Sequence, residues 1–153
     1  MVGAILAWMT DHDRVQEIVL RSQHAMLILR TAAGELRGRP ANVVHHEDDP
    51  TLWLIARCDA ATSAAVARDP AVDVTFQRGD AFVSISGKAE IIRDRVLLRL
   101  LWQDGWRPSF ADGPDDADLV LLQITPTKSD LWDLSARRDA ASVMPAESFV
   151  VLA

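Results

Sequence analysis

At residues 71–77, Val72, Val74 and Phe76 occupy every second position. Arg78-Gly79-Asp80 follows, and residues 81–92 then alternate again, Phe82, Ser84 and Ser86 against Val83, Ile85 and Gly87. A period of two places each set on its own face of a strand. A turn this short, with a glycine free to take positive φ, joins only antiparallel neighbours. A chain built around this hairpin is constrained to an antiparallel sheet.

The flanking segments extend that sheet. Residues 24–31 form a short apolar run, Ala32-Ala33-Gly34-Glu35 a turn, and residues 36–45 a second strand. Pro40 lacks an amide proton, so its place is an edge or a bulge. Residues 51–57 are a third strand, with Leu52, Trp53, Leu54 and Ile55 continuous and apolar. Asp59 is an N-cap for a helix over residues 60–68, which Asp69-Pro70 ends. Residues 119–125 and 128–134 read as two further strands separated by Pro126-Thr127.

Two other helices are expected. Ile5, Met9, Val15, Ile18 and Val19 recur at roughly helical spacing, with Asp11 or Asp13 able to cap a restart. Over residues 93–102, Val96, Leu97, Leu100 and Leu101 form one stripe. Residues 104–116 are a Gly-, Pro- and Asp-rich loop carrying Trp106 and Phe110. Helices among short-linked strands give a mainly β, α+β chain: an antiparallel barrel with helices at its openings.

At 153 residues and 49% hydrophobic, the chain suits one domain with one core. A net charge of −6 argues against a nucleic-acid partner. The single cysteine, Cys58, excludes an intramolecular disulfide and fits a reducing compartment, so a cytoplasmic location is expected. Residues 1–10 are apolar but short, lack a basic leader and precede Asp11 and Asp13; they read as the start of a packed helix rather than a signal peptide. No apolar run approaches the roughly 20 residues of a membrane span, and no membrane partner is expected.

His45-His46-Glu47-Asp48-Asp49 carries metal-capable side chains, but neighbouring strand residues face opposite ways, so no metal site is expected. Cys58 has no basic or histidine frame in sequence and reads as a small half-buried residue rather than a nucleophile. Asp112, Asp115, Asp116 and Asp118 read as a solvated acidic loop, with a run that flanks a cleft and disfavours anionic substrates as the alternative. No side chain stands out as a catalytic acid or base, so the catalytic residues are left unassigned.

Four stretches in order resemble one family. They are Gly38-Arg39-Pro40, then Leu52-Trp53-Leu54-Ile55, then Asp69-Pro70 through Phe82-Val83-Ser84-Ile85-Ser86-Gly87-Lys88-Ala89. Last comes Gly113-Pro114-Asp115-Asp116-Ala117-Asp118-Leu119-Val120-Leu121-Leu122 with Thr125-Pro126 and Leu131-Trp132-Asp133. Over about residues 14–134 this is similar to the general-stress-protein branch of the pyridoxamine-5′-phosphate-oxidase-like split barrels. The resemblance implies a split antiparallel β-barrel with flanking helices over residues 1–134. A tail over 135–153 would pack on the domain or on a partner subunit. It further implies a homodimer with FMN in the groove between subunits, and a flavin-dependent oxidoreductase acting on a small molecule that the sequence does not name. The alternatives are a non-catalytic flavin-binding or stress-response module, or a relative using the deazaflavin F420 or haem.

The same resemblance assigns the cofactor site. Arg39, beside Pro40 and Ala41, is expected to pair with the phosphate or with the ring edge, since its planar fork donates parallel hydrogen bonds. Ile55 and Ala56 match positions that line the flavin with backbone groups. Phe82 and Trp132 match positions beside the ring, with core packing as the alternative for each. Trp102, Trp106 and Phe110 match an aromatic loop closing the cleft. The family's basic phosphate-gripping position falls at Ala61 and Thr62, neither of them basic. The hydroxyls of Thr62 and Ser63, the helix N-terminus, and Arg57 or Arg39 are the substitutes on offer. Asp59 opposes them unless it faces away.

Overall fold

The computed structural model describes residues 10–45, 51–135 and 138–142. The alternating runs do form strands: β1 (His24–Arg30), β2 (Leu36–Val44), β3 (Leu52–Arg57), β4 (Ala71–Arg78), β5 (Ala81–Ile92) and β6 (Leu119–Asp133). All are paired antiparallel in the order β3-β2-β1-β4-β5-β6, and β3 also pairs with β6, which closes the barrel. The β4–β5 hairpin turns at Gly79-Asp80, with Arg78 opposite Ala81 and Gly79 at φ +58°.

Alternation explains the continuous apolar run of β3. Leu52, Leu54 and Ala56 point into the barrel with Leu27, Leu29, Val74, Ile85, Leu122 and Ile124. Trp53 and Ile55 point outward into a second cluster with Val44, Leu98, Trp106, Phe110, Leu119 and Leu121. Both faces of β3 are thus buried, and each large side chain there contributes about 1.5–3 kcal/mol of burial. The second cluster anchors the loop that walls a cleft beside β3.

Three helices flank the barrel. Helix α1 (Asp11–Arg21) packs on β4 and β6 through Val15, Ile18 and Val19. Its cap is Thr10 rather than Asp11 or Asp13: Thr10 accepts from the Asp13 amide while the Asp13 carboxylate accepts from the Thr10 amide, a reciprocal capping box. Helix α2 (Ala60–Arg68) is capped by Asp59, as expected, and packs on β5 and β1. Helix α3 (Arg95–Leu101) is shorter than its apolar stripe suggests and is capped by Asp94. That stripe forms its packed face only in part: Leu97 and Leu101 pack on the outer cluster beside the buried Leu98, whereas Val96 and Leu100 are 66% and 78% exposed.

Two further differences are physical. The strands expected at 119–125 and 128–134 are one strand. Pro126 lies opposite Gly87, where the β5–β6 register shifts, so the ladder absorbs the missing amide at a bulge and continues. A Cβ on Gly87 would lie 2.6 Å from the Thr125 carbonyl oxygen, so only glycine permits this approach. Beyond residue 134 the sheet also continues, because β7 (Arg138–Ser142) pairs with the end of β6. Pro40 is in register with Met26 of β1 but precedes Ala41, the first β2 residue paired with β3, so its β3 side is a local edge. Residues 1–9, His46 to Pro50 and the apolar patch at 149–152 lie outside the described residues. Among the described residues no helix is long and apolar enough to cross a membrane.

Candidate functional site

Where the ends of β2 and β3 meet the start of α2 and the loop before β6, the chain encloses a cleft of about 750 Å³. Arg39, Pro40, Ala41, Ile55, Ala56, Arg57 and Thr62 all line it, so seven of the ten sequence-assigned residues converge. A second, more apolar cavity of about 860 Å³ holds Phe82 and Trp132. These two are direct cross-strand partners on β5 and β6. His24 and Pro40 line both cavities, which places the two side by side on the barrel wall. Ser63 does not join either: it is buried and lines a smaller cavity against Ala89 and Ile91.

Arg39 is held by its guanidinium. Its Nη1 donates to the Arg57 carbonyl at 2.9 Å, and its Nε is buried without a hydrogen-bond partner. A buried donor left open is costly, and so marks a place for an acceptor. Cys58 lies beneath it, 3.9 Å from Nη1. It is fully buried rather than half-buried. Burial pushes its thiol up from the usual range, with the Arg39 charge pulling in the opposite direction.

Arg57 has a different task. Its guanidinium pairs with Asp118 at 3.1 Å and Asp116 at 3.5 Å, and donates to the Ser109 carbonyl. It also lies over the Phe110 ring, 5.2 Å from the centroid. Asp116 is buried rather than solvated, and its other oxygen accepts from the Asp118 amide. This cluster fixes residues 104–118 against β3. Trp102 completes it, edge-on to Trp106 and Phe110 at 5.8 and 6.3 Å. The aromatic loop therefore both packs the outer core and, through Phe110, walls the cleft.

At the start of α2, Asp59 Oδ1 accepts from the Thr62 amide at 2.8 Å. Hydrogen bonds from Thr62 hold this carboxyl below its usual range, so it stays ionised at neutral pH. The roles of Asp116 and Asp118 were not visible in sequence, since their partner Arg57 lies about sixty positions away. His24 was likewise missed. Its Nδ1 stands 3.1 Å from Asn42 Oδ1, a cross-strand pair that only the β1–β2 register reveals.

Among solved structures, the fold matches a protein from Clostridium acetobutylicum related to general stress protein 26 of B. subtilis. The TM-score is 0.75 at 18% identity, covering 89% of this chain and 94% of that one. It also matches the general stress FMN/FAD binding protein from Xanthomonas citri, with TM-score 0.61 and 23% identity over 78% and 85% of the two chains. A heme binding protein from Mycobacterium smegmatis matches with TM-score 0.69 and 14% identity over 93% of this chain and 60% of that one. No curated protein matches the sequence. The sequence profile described as pyridoxamine 5′-phosphate oxidase like matches residues 10–150. The closed barrel, its flanking helices and this match over nearly the whole length together establish that the chain belongs to the pyridoxamine 5′-phosphate oxidase-like family.

Proposed function

We propose that the chain binds a flavin in the Arg39 cleft, as a homodimer, and acts as a flavin-dependent oxidoreductase. The observation that carries this is Arg39, which lines a 750 Å³ cleft and whose buried Nε has no hydrogen-bond partner. That volume falls within the roughly 300–1,000 Å³ typical of pockets for small ligands. The cleft suits a flat heteroaromatic ring: Ile55, Ala56 and Phe110 supply apolar wall and Arg39 supplies the donor. The likeness to an FMN/FAD binding protein supports the same ligand class.

A bound flavin supplies two-electron transfer at its ring. The chain's own share is orientation. Arg39 fixes a ring acceptor, Phe110 excludes water from one side, and Arg57 holds the loop that carries Phe110. The dimer rests on the neighbouring cavity, where Met26, Trp132 and Leu134 are 43%, 36% and 61% exposed. Covering these side chains with a second copy would bury apolar surface beside the cleft. The buried free thiol of Cys58 is compatible with a cytoplasmic location. The test is the absorption spectrum of the purified chain with and without added flavin. A flavin band that co-purifies, or that forms on addition, supports the reading; a colourless chain that takes up none overturns it.

One observation favours a second reading, haem. The Nδ1 of His24 is engaged by Asn42, and His24 lines both cavities, where its other ring nitrogen would be the haem ligand. Haem titration separates the readings, since a Soret band lost in His24→Ala selects haem.

A further inference from the structure

The charges on the cleft walls bear on which flavin it takes. Two cations, Arg39 and Arg57, face two anions, Asp59 and Asp118. The charge of Arg57 is already met by Asp118 and by the buried Asp116, and its remaining donor serves the Ser109 carbonyl. At the start of α2 the Thr62 and Ser63 amides are used within the chain. Asp59 takes the Thr62 amide through its side chain and the Ser63 amide through its carbonyl. The Ser63 side chain is buried towards a different cavity. Of the two cations, Arg39 alone enters no ion pair among the described residues, and it keeps one partnerless donor.

A phosphate monoester brings a charge of about −1.5 to −2 at neutral pH. In this cleft it would meet Arg39 with the Asp59 carboxylate beside it, in no ion pair among the described residues, and an Arg57 whose charge Asp116 and Asp118 already offset, on a chain of net charge −6. A neutral ring with a hydroxylated side chain meets no such opposition and still offers an acceptor to Arg39. We infer that the cleft selects a flavin without a terminal phosphate, of the riboflavin class, over FMN, with Asp59 as the discriminating group. This inference rests on the flavin reading above.

The test titrates the purified full chain, freed of bound flavin, with riboflavin and FMN in parallel, following flavin fluorescence. The expected result is riboflavin binding at least about fivefold tighter than FMN at low ionic strength. Raising salt to about 0.2 M should tighten FMN and leave riboflavin unchanged, because screening weakens repulsion. Asp59→Asn, which keeps a capping side chain, should likewise narrow the gap. FMN binding more tightly than riboflavin to the unaltered chain overturns the inference and leaves the flavin reading standing. So does a gap that neither salt nor Asp59→Asn moves. If neither compound binds, the flavin reading falls and this inference with it.

Discussion

Arg39 and Arg57 meet across the end of the β2–β3 pair: the Nη1 of the first donates to the main-chain carbonyl of the second at 2.9 Å. The two arginines divide the work of the cleft. Arg57 turns its guanidinium outward to Asp116, Asp118 and the Ser109 carbonyl, and so holds the wall. Arg39, buttressed by the backbone of Arg57, keeps its Nε without a hydrogen-bond partner.

Arg57→Ala should loosen the wall. Asp116, with a side chain 9% exposed, would lose its cation, whereas the Arg57 side chain itself is 49% exposed and partly screened. The expected cost is about 1–2 kcal/mol of stability. Amide exchange over residues 104–118 should rise before exchange in the barrel strands does. Urea unfolding and exchange mass spectrometry check both effects.

Gly87→Ala should destabilise the barrel rather than the cleft. The added Cβ would stand 2.6 Å from the Thr125 carbonyl oxygen and 2.8 Å from Ile124 Cγ2, one of them main chain. Forcing them apart disturbs the bulge that accommodates Pro126, at a cost of about 1–3 kcal/mol. The urea midpoint should fall at unchanged slope.

Trp132→Asp and Met26→Asp should each shift the proposed dimer towards monomer. Both side chains are partly exposed and line the apolar cavity beside the cleft. A carboxylate desolvated at such a surface carries a large penalty. Sedimentation velocity at micromolar concentration reads the change, with far-UV circular dichroism confirming that the barrel survives.

Cys58 should react slowly with thiol reagents in the folded chain and readily in urea. Its thiol is buried and pushed up from 9.0, chiefly by burial. A raised value means the protonated form favours the fold, so that share of stability is complete below pH 9 and declines as the pH rises through the folded value. Cys58→Ala should flatten the alkaline limb of the stability profile.

Much of this fold could be read from local pattern. The β4–β5 hairpin followed from Val72, Val74 and Phe76 alternating up to Gly79, and the α2 cap followed from Asp59. The failures came where a distant partner decides. Pro126 looked like a strand end because only Gly87, on the neighbouring strand, supplies the bulge that lets the ladder pass. Leu98 looked no more apolar than Val96 and Leu100, yet it is buried in the outer cluster with Leu97 and Leu101 packed beside it, while Val96 and Leu100 are exposed. In the cleft, Arg39 and its backbone neighbours were legible through family resemblance. The buried Asp116 was not, because its cation stands on β3 and no spacing rule links the two.

The central claim is that Arg39 anchors a flavin ring, and the most direct measurement is flavin affinity in the unaltered chain against Arg39→Ala, by fluorescence titration. Removing the charge-assisted donor should weaken binding by about 1.5–3 kcal/mol, roughly tenfold to a hundredfold, with the fold intact. Equal affinity in the two proteins, or no flavin binding by either, would contradict the account.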